Sequence, residues 1–465
     1  MTSTARYDVD GLRGAMTGAV VLPGEAGYDD ARSIWNGAID RRPALIARCR
    51  TADDVAAAVT FGRDHSLEIA VRGGGHGFAG TAVCDDGLMI DLSLLNGVQV
   101  HPHERRAVVG GGATLADLDA ATQAHGLAVT GGVISHTGVG GLTLGGGMGW
   151  LAGRCGLSLD NLVGAQVVLA DGRIVHAAER DHADLFWALR GGGGNFGVVT
   201  EFEFALHEVG PEVHLGLLFW GLDQGREALR ACRDSIPGLP ETSGVLIAAA
   251  MNAPPAPFVP PEHHFAPGHA LMVVGFDGAE EHDRSLDAVR RACPPLFEFV
   301  TPLPYVALQG MLDDSAPWGI GGYEKALYLD DLTDDAVDVL ATRAGEKRSP
   351  LSFAPIFLLD GAYARVGDDD TAYGGRRRRQ YVVNIAAVGP DLAAPAVDRD
   401  WVRSIWDELR PLAADGGGYV NFMAEADADR VRASYGAAKY ERLAHIKAEY
   451  DPGNLFHRNA NIKPA

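Results

Sequence analysis

Val71-Arg72-Gly73-Gly74-Gly75-His76-Gly77 closes an apolar run that begins at Glu68 and reads as a strand, and its glycines decide how the rest of the chain is read. Gly75-x-Gly77-x-x-Gly80 satisfies the bare dinucleotide fingerprint. A nicotinamide-binding Rossmann turn also needs a helix opening at those glycines, so that its N-terminus meets the pyrophosphate. Here Thr81-Ala82-Val83-Cys84-Asp85-Asp86-Gly87 reads as a turn, and that fold is set aside. Two more glycine-dense stretches follow, Gly138 to Gly149 and Gly191 to Gly197. Backbone N–H groups unobstructed by Cβ form anion-binding concavities, so such loops together can enfold a long diphosphate cofactor; tight turns between strands are the plainer alternative.

The composition sets the limits around these loops. Glycine supplies 60 of 465 residues, well above the usual ~7%, without a collagen-like period. The length implies two or three domains. A net charge of −21 repels phosphate backbones and anionic lipid, which argues against nucleic acid or a membrane as partner. Cys49, Cys84, Cys155, Cys232 and Cys293 are odd in number, with no C-x-x-C pair, so neither a disulfide framework nor a zinc site is expected, and no metal. Met1 to Gly14 lacks the apolar core of a signal peptide and no apolar run reaches the ~18 residues of a membrane span, so a cytoplasmic protein is expected.

From Ala44 to Leu206, short β-rich runs alternate with helices. Thr51 caps one helix with Val55, Ala58 and Val59 on a common face, and Thr114 caps another that stops at Gly126. Asp171-Gly172 turns a hairpin, and Phe202, Phe204 and Leu206 alternate along a half-buried strand. From His207 to Pro411 the pattern changes. Strands are predicted over Val213–Phe219, His269–Phe276, Leu351–Arg365 and Gln380–Val388, with helices near 222–235, 279–293, 332–345 and 397–410, an antiparallel sheet backed by helices. After Gly416-Gly417-Gly418, one long helix is predicted from Asp427 to Tyr450.

Val71 to Gly77, Gly145-Gly146-Gly147-Met148-Gly149, Gly153 through Asn161 and Asp184 through Gly197 resemble the berberine bridge enzyme-like flavoproteins, members of the vanillyl-alcohol-oxidase or PCMH-type FAD-binding superfamily. Tyr419-Val420-Asn421, Tyr435-Gly436 and Tyr450 through Ile462 resemble the same family. The resemblance covers about residues 35–205 and 415–465 well, and the middle weakly. It implies a bimodal α+β fold. Residues 1–206 and the C-terminal return, 412–465, would form the FAD-binding domain, with 207–411 as the substrate domain.

The resemblance also implies roles. His76 falls at the family's 8α-histidyl link to FAD and Cys155 at its 6-S-cysteinyl link; imidazole and thiolate are the nucleophiles suited to an electron-poor ring. Further FAD contacts are implied at Arg72, Gly73, Gly74, Gly75 and Gly77, at Thr137, Gly138, Val139, Gly140, Gly141, Gly145, Gly149 and Trp150, and at Gly156, Leu157, Asp160, Asn161, Gly194, Val198, Asn421 and Asn459. Val139 stands where relatives place a residue gating oxygen, and its small side chain implies an oxidase. Tyr419 matches the tyrosine that takes a substrate proton while hydride passes to flavin N5.

Leu359 to Val366 resembles the substrate-facing strand, with Gly361, Tyr363 and Arg365 on one face by period two. Relatives that use a carboxylate base carry Glu near Ala364 or Arg365; this chain has none, and Asp360 is the substitute if its register differs. The implied activity is that of an FAD-linked oxidase acting on a small organic molecule, with O2 as reoxidant and hydrogen peroxide as product. Phe353, Phe357, Leu358 and Tyr363 favour an apolar or aromatic secondary metabolite over an alcohol or carbohydrate. A flavin-carrying binding protein without turnover is the alternative from another class. A monomer or homodimer is expected.

Overall fold

The computed structural model describes residues 7–390, 392, 394–413, 417–425 and 427–465; Met1 and Gly416 of the sequence reading lie outside them. Thr51 accepts the Asp54 N–H and starts the helix Ala52–Asp64, whose Val55, Ala58 and Val59 are buried. That helix packs on a four-stranded sheet in the order Ala19–Val21, Leu45–Arg48, Leu88–Asp91, Ile69–Arg72, the last three mutually parallel. Ile69–Arg72 delivers the chain into the Gly73–Gly77 loop.

A second, antiparallel sheet follows in the order Val98–His101, Arg106–Gly110, Val198–Ala205, Leu162–Val168, Ile174–Ala178. Gly172, with φ +88°, makes the hairpin turn that Asp171-Gly172 predicts. Thr114 and Asp117 form a reciprocal capping box on the helix Leu115–Gln123.

The third sheet has seven antiparallel strands: Phe297–Pro304, Glu212–Gly221, Pro267–Gly275, Gly244–Asn252, Ala354–Leu359, Gln380–Gly389 and Gly321–Leu329, in spatial order. One face carries Trp220, Ile247, Val273 and Ile385, covered by helices that include Gly225–Ser235, Asp334–Arg343 and Ala394–Leu409. The other face carries Leu246, Met272 and Phe357 and turns toward Met148, Leu157 and Tyr419. This second face roofs the site.

The C-terminal segment returns to the N-terminal half. Val431, Leu443, Ile446 and Ile462 share one core with Leu115, Phe202 and Phe204. Lys447, fully buried, donates to the carbonyls of Asn195 (2.6 Å) and Phe456 (3.0 Å) and pairs with Asp451. The tail is thereby fastened to the third glycine loop.

Several expectations are corrected. The stretch from Gly138 to Gly149 is not a continuous loop, because Val139–Gly145 is a helix. Gly436, at φ +72°, splits the last predicted helix into Ala428–Tyr435 and Ala437–Tyr450. The strand predicted from Leu351 to Arg365 ends at Leu359; Asp360 accepts the Gly361 N–H and starts a 3₁₀ turn, Gly361–Arg365, so period two does not apply there. Strands Gly244–Asn252, Gly321–Leu329 and Phe297–Pro304 of this sheet escape the sequence reading. The first is buried on both faces and shows no alternation; the second opens on two glycines and carries Glu324-Lys325 at its centre.

Candidate active site

A cavity of about 550 Å³ lies between the glycine loops and the seven-stranded sheet. Gly73, Gly74, Gly138, Gly140, Gly141 and Gly194 supply bare backbone to its wall. The first two loops touch directly: a Cβ on Gly74 would sit 2.3 Å from the Gly138 nitrogen. Buried polar atoms without protein partners, Arg458 Nε and Asn459 Oδ1, belong to side chains lining the same wall. Exposed N–H groups, an arginine and an unsatisfied amide suit a long, diphosphate-bearing cofactor.

His76 stands at one end of the cavity. Its ring stacks on Trp35 (centroids 4.8 Å apart), and its Nε2 lies 3.0 Å from Nδ1 of His136. Burial and the neighbouring His136 push its pKa down to about 3, so the imidazole is neutral and nucleophilic. Trp35 in turn donates to the Ala316 carbonyl (2.7 Å), and Asn36 bonds Gly322 through both its N–H and its carbonyl, at 3.1 and 2.9 Å. The histidine's surroundings are therefore tied to the start of the strand Gly321–Leu329.

Tyr419 reaches the cavity from the C-terminal segment. Its oxygen accepts the Gly147 N–H at 2.8 Å and Asn421 Nδ2 at 2.9 Å. Burial and the neighbouring Tyr373 hold its pKa well above the ordinary phenol value, against the pull of these two donors. Glycines make the approach possible. A Cβ on Gly145 would lie 2.1 Å from Asn421 Oδ1, and one on Gly146 2.7 Å from the Tyr419 ring.

The sheet face above is apolar, with Leu246, Ala248, Met272, Phe353 and Phe357 lining the cavity. Besides Asn252 at a strand end, which is engaged by Lys347 and the Phe265 carbonyl, the exception is a pair that sequence reasoning missed. Glu324 (1% exposed) and Asn384 (6%) both line the cavity, and Asn384 Nδ2 donates to Glu324 Oε2 at 2.9 Å. Burial raises the Glu324 carboxyl to about 8, against the pull of the Asn384 bond. The signal lay in the sequence as two charged residues, Glu324-Lys325, inside an otherwise apolar run from Tyr323 to Leu329, which hid the strand rather than marking the site.

Of the expected cofactor residues, Gly73, Gly74, Gly75, His76, Gly77, Thr137, Gly138, Gly140, Gly141, Gly194, Val198, Asn421 and Asn459 line the cavity. Others do not. Cys155 is packed with Trp150, Leu151 and Leu157, and burial pushes its thiol up to about 12. Val139 packs into the core with Leu115 and Phe202, away from the wall where an oxygen gate would stand.

Gly149, Trp150, Gly156, Leu157, Asp160 and Asn161 frame the layer beneath. Asp160 is clamped by Arg377 (2.7 and 2.9 Å), and Asn161 donates to the carbonyls of Cys155 and Leu157. Arg72 donates to the Ala31 carbonyl at 2.8 Å instead of facing the cavity. Gly145 serves Asn421 rather than a cofactor.

On the substrate side, Asp360, Tyr363 and Arg365 are not brought to the cavity. Asp360 caps its turn, Tyr363 donates to the Arg376 carbonyl at 2.6 Å, and Arg365 pairs with Glu241 in solvent. Leu358 points to the opposite, helix-covered face. Among the described residues no helix is long and apolar enough to cross a membrane, and no His, Cys, Asp or Glu group could hold a metal ion.

Two family models match: an FAD binding domain over residues 43–178, and the berberine and berberine-like family over residues 418–463. The chain is 30% identical to an FAD-linked oxidoreductase of Dictyostelium discoideum over 458 residues, 97% of this chain and 95% of that one. It is 30% identical to (R)-6-hydroxynicotine oxidase of Paenarthrobacter nicotinovorans over 470 residues, 97% of each. The solved glucooligosaccharide oxidase of Acremonium strictum, described with 6-S-cysteinyl, 8α-N1-histidyl FAD, superposes with a TM-score of 0.85 at 25% identity, covering 98% of this chain and 99% of that one.

Proposed function

Because the chain belongs to the berberine and berberine-like FAD-linked oxidoreductases, an FAD-dependent oxidase fold, we propose that it holds FAD through a single covalent bond at His76 and oxidises a compact, apolar or aromatic secondary metabolite. The observation that supports this most is the neutral His76 imidazole at the wall of a glycine-lined cavity that also receives Tyr419. The bound FAD supplies a two-electron acceptor for hydride from a substrate carbon and, with O2, releases hydrogen peroxide.

The protein's own residues position and deprotonate. Trp35 and His136 fix the His76 ring, and the glycine loops admit the dinucleotide without steric obstruction. Tyr419, once ionised, takes the substrate's hydroxyl or amine proton and returns to the neutral phenol; the Gly147 and Asn421 N–H groups stabilise the phenolate that acts. Leu246, Met272 and Phe357 exclude water above the reacting carbon. An alcohol or carbohydrate substrate is less well served by this roof. A flavin-carrying binding protein leaves the two donors on Tyr419 without a purpose. We place the enzyme in the cytoplasm, as a monomer or homodimer.

Anaerobic mixing with aromatic alcohols and amines tests the oxidase reading. The expected result is bleaching of the flavin band by at least one compound, and peroxide on admitting air. A panel that leaves the oxidised spectrum untouched while the same compounds bind would support the binding-protein alternative.

A further inference from the structure

Glu324 and Asn384 are the polar exception on an apolar roof, and their chemistry is unfinished. Asn384 spends its amide N–H on Glu324 Oε2; Glu324 Oε1 and Asn384 Oδ1, both buried, have no hydrogen-bond partner among the described residues. Both side chains lie on the cavity face. The register pairs Glu324 with Ala386 and Ala326 with Asn384, so the two polar residues sit diagonally across adjacent strands on the same side of the sheet. Buried oxygens left without donors cost free energy unless a bound group satisfies them.

What would satisfy them is constrained. With Glu324 ionised, two neighbouring acceptors call for a group with two donors, and a carboxylate in an apolar cavity calls for a cation. Among the described residues that line the cavity, none provides one. Lys325, next along the strand, points to the opposite side, over Trp406 and toward Glu425. Arg458 lines the cavity but is engaged by Glu68 and the Val83 carbonyl. His76 is neutral, and the Tyr419 and Tyr435 phenols that also line the cavity carry no positive charge in either state. The strand bearing Glu324 is pinned beside Trp35 through Asn36 and Gly322, which sets the pair at the His76 end of the cavity.

We propose that Glu324 and Asn384 form an amine-binding clamp, and that the substrate is a primary or secondary amine whose protonated nitrogen donates to Glu324 Oε1 and Asn384 Oδ1 while its apolar body rests on Phe357 and Met272. The proposal rests on the oxidase reading for its consequence, since it names the substrate class of that cavity, but the clamp itself is testable without turnover. The carboxyl must be ionised to pair with the cation. Because burial holds it protonated well above the usual carboxylate range, binding a cation releases one proton, and affinity rises with pH until the carboxyl is ionised.

The test uses the protein as purified and two isosteric probes, N-methylbenzylamine and benzyl methyl ether, followed by titration calorimetry. The amine is expected to bind at least ~10-fold more tightly than the ether near neutral pH, with affinity rising about tenfold between pH 6 and pH 7, while the ether's is flat. Glu324→Gln should remove about 10- to 100-fold of the amine's affinity, flatten its pH profile and leave the ether unchanged. Should that variant not fold, the wild-type pH profiles decide the matter alone. Equal, pH-independent binding of both probes overturns the clamp, as does a folded Glu324→Gln protein that retains the preference. Amine-selective, pH-linked binding without flavin reduction by any amine upholds the clamp and overturns an amine as the oxidised substrate. Flavin reduction by alcohols with no amine preference overturns the clamp and upholds the oxidase reading.

Discussion

The phenol oxygen of Tyr419 accepts N–H groups from Gly147 and Asn421, and these two donors offset part of the cost that burial sets on its anion. Tyr419→Phe should retain FAD and lower kcat by about 10²- to 10⁴-fold, measured by stopped-flow flavin reduction; an unchanged rate would assign the proton to another group. Glu324 makes a prediction about stability. Its folded pKa of about 8 exceeds the unfolded value near 4.5, so the native state binds more protons between those values and stability falls as pH rises through them. Glu324→Gln removes this dependence. The variant should gain on the wild type by a few kcal/mol between about pH 5 and pH 8 in urea titrations, and a constant difference would mean that the carboxyl is not protonated in the native state.

The helix Val139–Gly145 and the turn after it show how elements carry the site. Gly146, at φ +152°, lets the chain leave the helix under the Tyr419 ring, where a methyl group would lie 2.7 Å from that ring. Gly146→Ala should therefore displace Tyr419, lowering kcat by at least ~10-fold and stability by about 1–3 kcal/mol, with FAD content as the control. Elements whose residues alternate or carry caps were legible: Thr51, Thr114, Asp171-Gly172 and the Phe202 strand lie where their local chemistry demands. Elements fixed by tertiary burial were not. Gly244–Asn252 is apolar on both sides, and Gly361–Arg365 follows directly on the strand Ala354–Leu359 while Asp360 caps it into a turn. The site divides the same way. His76 and the glycines were legible because they adjoin one another in sequence; Glu324 and Asn384, 60 residues apart, meet only through strand register.

At the scale of the molecule, the two chain ends close on each other to complete one wall, and the seven-stranded sheet supplies the opposite one. The fastening is Lys447, buried against Asp451 and the carbonyls of Asn195 and Phe456. Asp451 also accepts the N–H groups of Leu455 (2.8 Å) and Phe456 (2.9 Å), which shapes the turn leading to Asn459. Lys447→Met leaves that carboxylate uncompensated and should cost about 3–5 kcal/mol in urea unfolding, with weaker FAD retention; a loss below about 1 kcal/mol would show that the tail is held by its apolar contacts alone.

The central claim is that this architecture presents a neutral His76 to the flavin as its only tether. Acid precipitation of the purified protein, followed by mass analysis of its peptides, tests it directly. Flavin should remain with the pellet on the peptide containing His76, with the Cys155 peptide unmodified. Flavin found wholly in the supernatant, or attached at Cys155, would contradict the account.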